Sequence, residues 1–82
     1  MNSPFIIDQS RRLVSHDEFI KARNEKERID YLYHTVFQRD PTILEVREGR
    51  TYIAEATGDK RANAWAELAQ VLLLSNEFRF VD

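Results

Sequence analysis

The 82-residue chain is long enough for one small domain, or a piece of a larger protein, and too short for two, since domains typically run to about 100–200 residues. At this size folding buries only about 60% of the surface that the unfolded chain exposes, which disfavours a multi-layered buried active site. Hydrophobic residues make up 43% and charged residues 32%, net charge is -2 and cysteine is absent, values that exclude a disordered tail, a collagen-like rod, a disulfide framework, a thiolate nucleophile and a cysteine zinc site.

The 12 basic residues against 14 acidic ones disfavour a nucleic-acid partner, which calls for a basic face. Asn2-Ser3-Pro4-Phe5 offers no basic leader ahead of a long apolar stretch, and the longest apolar run, Val71 to Leu74, is far too short to span a bilayer. The chain as written is therefore expected neither to export nor to anchor itself. Two Gly and two Pro leave long uninterrupted segments, which points to helices rather than to strands joined by tight turns.

Ser3 before Pro4 is a helix-start signal, since Ser accepts an orphan amide bond and Pro at the first helical position needs no N–H partner. The first helix is expected over 4–14, with Phe5, Ile6, Gln9, Leu13 and Val14 inward and Asp8, Arg11 and Arg12 outward. Ser15-His16-Asp17-Glu18 reads as a break with fresh caps, and Phe19-Ile20-Lys21-Ala22 as a short turn or a helical continuation. Next, Asn24 with Glu27 has the spacing of a capping box, and Ile29, Leu32, Tyr33, Val36 and Phe37 follow a helical stripe. Pro41 ends this helix near Arg39. Thr42 and Glu45 form a second capping box that starts another helix at once, so the pair is expected as an antiparallel hairpin.

Along that third helix Val46, Gly49 and Ile53 share a stripe, where Gly suits a close helix approach. Thr57-Gly58-Asp59-Lys60 supplies the Gly expected just past a helix C-terminus. The last helix is expected from Ala62 to about Glu77, with Trp65, Leu68, Ala69, Leu72 and Asn76 on one stripe and Val71, Leu73 and Leu74 widening it almost around the cylinder. Such a helix is either central to the core or covered by a partner. Phe78-Arg79-Phe80-Val81-Asp82 reads as a tail that packs down. The expected fold is all-α, a small bundle of three to four helices forming a single helical domain over 1–82, with Ile29, Leu32, Tyr33, Val36, Phe37, Val46, Ile53, Trp65, Leu68, Leu72 and Phe78 in its core.

The residues that could carry chemistry do not assemble into a known pattern. His16 and His34 are the only histidines, fewer than the three or so ligands a catalytic zinc usually takes. Asp30 and His34 are four apart on a helix, which any charged helix face produces. Ser10, His16 and Asp17 lack a nucleophile elbow and an oxyanion loop. Glu25 with Glu27, and Asp17 with Glu18, are explained by helix capping better than by general acid work, which needs a cleft. Gly49 and Gly58 are isolated, so no phosphate loop or dinucleotide fingerprint is present. No catalytic residue, metal ligand or cofactor is assigned, and no enzyme is expected. A helix-turn-helix using Arg47, Arg50 and Arg61 is the alternative, opposed by the neighbouring Glu45, Glu48 and Glu55. Among the aromatic residues Tyr31 and Tyr52 are the ones expected at the surface, and with Leu73, Leu74 and Phe80 they make up the candidate interaction surface.

Three stretches resemble a known family: Asn2-Ser3-Pro4-Phe5-Ile6-Ile7-Asp8-Gln9; Arg28-Ile29-Asp30-Tyr31-Leu32-Tyr33 on through Phe37-Gln38-Arg39-Asp40-Pro41-Thr42; and Trp65-Ala66-Glu67-Leu68-Ala69-Gln70-Val71-Leu72-Leu73-Leu74-Ser75-Asn76-Glu77-Phe78-Arg79-Phe80-Val81-Asp82. Together they resemble the planctomycete family called domain of unknown function fifteen-fifty-three, and the likeness covers nearly the whole chain in order. It implies the C-terminal end of a larger exported or periplasmic protein, whose relatives carry a signal sequence, a companion domain and often a cytochrome c-like haem domain. This chain has no Cys-x-x-Cys-His, so no haem ligand carries over, and the resemblance supplies no catalytic residue. Gln38 stands where the family often has a small residue, and the charged stretch from His16 to Lys26 departs from the family pattern. The function expected is a structural or protein-interaction module, its partner another domain of the parent chain or a separate protein.

Overall fold

The computed structural model describes residues 3–79, with side chains through residue 76. The described residues form five helices and no strand: α1 (Pro4–Ser15), α2 (Asp17–Ile20), α3 (Glu25–Phe37), α4 (Ile43–Glu55) and α5 (Asp59–Arg79). The all-α class holds, with one helix more than the three or four expected. The extra one is α2, a single turn held by His16, whose Nδ1 accepts from the Glu18 amide at 3.1 Å. Its purpose is visible in Phe19, which is buried with its ring edge-on to Tyr31 and Trp65 and with the Arg28 guanidinium 4.8 Å above it. Phe19 was missing from the expected core because two apolar residues in a charged stretch show no periodicity.

α1 begins as the Ser3-Pro4 signal requires, the Ser3 hydroxyl accepting from the Ile6 amide. Its inward face is shifted from the expected one. Ile6 and Ser10 are buried, with Leu13 and Val14 against the core, whereas Phe5 is mostly exposed. Ser10 tolerates complete burial because its hydroxyl donates to the Ile7 carbonyl at 2.7 Å, leaving no orphaned polar group. Asn24 caps α3 through the Glu27 amide at 2.9 Å. The box is not closed on Asn24, however, because the Glu27 carboxylate takes the Arg23 amide and guanidinium instead.

The α3–α4 turn is tightly tied. α3 stops at Gln38, which adopts a left-handed backbone at φ 60°. The Thr42 and Glu45 capping box is complete in both directions. Arg39 adds two parallel bonds to the Glu45 carboxylate, at 2.8 and 2.9 Å, and its guanidinium lies over the rings of Tyr33 and Phe37. That hydrogen-bonded guanidinium, reinforced by the Thr42 amide, holds the Glu45 carboxyl down at about 2. Glu25 at the start of α3 meets Arg50 late in α4, and Ile29 meets Gly49, so the two helices run antiparallel, as the short connection requires.

α4 ends at Glu55 on an extended Ala56, so Gly58 does not cap it. Gly58 instead takes φ 60° immediately before α5, and its carbonyl accepts from the Arg61 amide. This turn starts α5 three residues earlier than expected. α5 contacts α1, α3 and α4, most extensively α1. Its apolar width follows from that central place: Ala64, Leu68, Ala69 and Leu72 are buried, and Trp65 and Leu73 pack against the core. The buried centre also contains Ile29, Leu32, Tyr33 and Val36 from α3, with Phe37, Val46 and Ile53 half-buried around it. The Phe78 side chain and the tail at 80–82 lie outside the described residues.

Candidate functional site

Burial of the apolar stripes leaves a short set of large hydrophobic side chains at the surface. On α4 they stand side by side: Ile43 is 85% and Leu44 57% exposed. Both fall in the first helical turn, where Thr42 and Glu45 satisfy the free amides and so fix the helix start. One face of α4, together with Glu25 of α3, lines an open trough of about 500 Å³ that includes Ile43, Val46, Arg47, Arg50 and Ala54. Two recesses continue it along α3, one sharing Glu25 and Arg50 and the other sharing Ile43 and Val46 before reaching Asp30, Asp40 and Pro41. The lining mixes aliphatic and charged side chains.

Most of those charges are matched within the chain. Lys26 Nζ lies 2.9 Å from Asp30, whose carboxylate accepts its bond and raises the lysine pKa, and Arg50 lies 3.6 Å from Glu25. Asp40 hydrogen-bonds His34 across the α3–α4 turn. His34 therefore pairs with Asp40 rather than with Asp30, the partner considered from sequence, and Asp30 faces Lys26. Arg47 is exposed and, among the described residues, has no carboxylate within ion-pair distance. No group of three metal-ligating side chains lies together among the described residues, and no described helix is long and apolar enough to cross a membrane.

The residues singled out from sequence fall in several places. Tyr31 is half-buried, stacked under His16 with ring centroids 5.8 Å apart. Tyr52 is 38% exposed on α4 and lines a separate recess with Glu55, Ala56, Lys60 and Glu67; partial burial raises its pKa, as does the Glu67 charge. Leu73 packs against the core and Leu74 is half-buried, both on α5, while Phe80 lies outside the described residues. Of the three arginines considered for nucleic acid, Arg47 and Arg50 share the trough, whereas Arg61 sits on the first turn of α5 and is not part of its lining. Ile43 and Leu44 were missed because an apolar pair at a helix start reads as the beginning of a buried stripe; Leu44 falls off the Val46, Gly49 and Ile53 spacing, whereas Ile43, three residues before Val46, continues it and carries no sequence mark of exposure.

Comparison of the chain with protein-family models, with curated proteins and with solved structures found no match.

Proposed function

We propose that the chain is a non-catalytic protein-interaction module, a single helical domain that closes the C-terminal end of a larger exported protein and engages another domain or a protein partner through α4. The observation that carries this is the adjacent pair Ile43 and Leu44, left exposed in the first turn of α4, where Ile43 also lines the trough. Contiguous apolar surface of this kind marks protein-binding faces in proteins that otherwise bury such side chains. The family resemblance supports the terminal position within an exported parent. A helix-turn-helix binding nucleic acid is less well supported, since Arg50 is drawn toward Glu25 and Arg61 stands apart from Arg47.

Binding of an environment-sensitive hydrophobic dye tests the reading. The native chain should bind the dye, and Ile43→Lys with Leu44→Lys should lose most of that signal at an unchanged melting temperature. A chain that binds no dye and stays strictly monomeric in light scattering would remove the support.

A further inference from the structure

We infer that the trough between α3 and α4 receives an acidic amphipathic helix from a partner, a conclusion that rests on the interaction-module reading and adds the chemistry of what is bound. The trough runs beside α4 from Ile43 to Ala54, a span of about 17 Å at 1.5 Å per residue, or three helical turns. A helix laid along it presents apolar side chains at i, i+3 or i+4, and i+7 to Ile43, Val46 and Ala54. An extended segment fits worse, because the described residues have no strand edge to pair its backbone groups.

Charge sets the sign of the partner. The carboxylates of the lining already have bases, Glu25 with Arg50, Asp30 with Lys26 and Asp40 with His34. Of the two cations lining the trough, Arg47 is the one with no carboxylate within ion-pair distance, and it stands beside Ile43 and Val46. The helix that fits therefore carries a carboxylate toward Arg47, where a bidentate bond to guanidinium also fixes its register. A second copy of this chain answers Arg47 less well: a two-fold that packs Ile43 against Ala54 of another copy, helix antiparallel to helix, brings Arg47 opposite Arg50 of that copy, whose neighbouring carboxylate, Glu25, is already drawn to Arg50.

A display library of 14-residue helical peptides, randomised at all positions of one face, tests the inference on the intact chain. Selection should enrich peptides with an apolar stripe and a flanking Glu or Asp. Arg47→Glu should weaken the selected peptide about ten-fold, the size expected for one lost charge-assisted bond, and substituting Lys for the peptide's acid should restore binding to Arg47→Glu. Ile43→Lys should weaken it by more, and thermal melts should show both variants folded, since both positions are exposed. Enrichment of basic or extended peptides that still need Ile43 would overturn the inference while leaving the interaction module standing. Concentration-dependent dimers abolished by Ile43→Lys would overturn it in favour of a second copy. Failure to enrich any Ile43-dependent peptide, in a chain that stays monomeric, would overturn both.

Discussion

A Cβ placed on Gly49 would stand 3.0 Å from Cδ1 and 3.4 Å from Cγ1 of Ile29, a side chain with no exposed surface. α4 thus approaches α3 so closely here that a side chain at this position presses on Ile29 unless Ile29 gives way. Glycine inside a helix costs about 1 kcal/mol relative to alanine, so Gly49→Ala gains propensity and loses packing. Overpacking of a filled core costs about 1–3 kcal/mol, and a net loss is expected. In an Ile29→Val background, which deletes Cδ1, the same substitution should be neutral or stabilising. Urea melts of the four proteins check this: effects that add to within about 0.3 kcal/mol would show that Ile29 does not limit the approach.

Gln38 ends α3 in the left-handed region at φ 60°, where a Cβ crowds the backbone at a cost of roughly 1 kcal/mol that glycine escapes. Its amide donates to the His34 carbonyl at 3.0 Å, a bond that any residue other than proline can make. Gln38→Gly is therefore expected to stabilise the chain by up to about 1 kcal/mol, and Gln38→Val to destabilise it by more than that. A Gly variant that melts below the native chain would show that the Gln side chain makes a contact outweighing the strain.

The parts of the fold legible in sequence are those governed by local rules. Ser3-Pro4, Asn24 and the Thr42 and Glu45 box mark helix starts because capping needs a specific oxygen at a specific spacing. The α3 stripe and the close approach at Gly49 follow from period 3.6 and side-chain size. Tertiary geometry decided the rest. Phe19 is core because α3 and α5 close over it, Phe5 is exposed because α1 turns Ile6 and Ser10 toward the bundle, and Gly58 serves α5 because Ala56 ends α4 in an extended conformation. The trough was least legible of all, since it is made by residues of two helices whose separate patterns record no gap between them.

The carboxyl of Glu45 lies at about 2 against an ordinary value of 4.5, held down first by the Arg39 guanidinium and also by the Thr42 amide. A depressed folded-state pKa means that the ionised form binds the native structure better. The stabilisation is thus complete above pH 4.5 and is lost as pH falls toward 2. Acid titration of the native chain should show falling stability across that window, and Glu45→Gln should flatten it while lowering stability at pH 7. Thr42→Ala, which removes the other half of the box, should cost about 1 kcal/mol at pH 7. An unchanged acid profile in Glu45→Gln would place the pH sensitivity on other carboxylates.

Ser10 separates the value of a buried hydroxyl from the value of its small size. Its oxygen donates to the Ile7 carbonyl, an acceptor that also takes the helix's own backbone bond, so Ser10→Ala leaves no donor or acceptor stranded. Removing both the group and its need for a partner is nearly neutral, and alanine is the better helix former. Melting of Ser10→Ala should stay within about 0.5 kcal/mol of the native chain or rise above it. Ser10→Leu should lose about 1–3 kcal/mol, because the residue has no exposed surface and α1 makes its most extensive contact with α5. A Leu variant as stable as the native chain would mean that α1 moves away from α5 at little cost, and α1 would then be a peripheral element rather than part of the packed bundle.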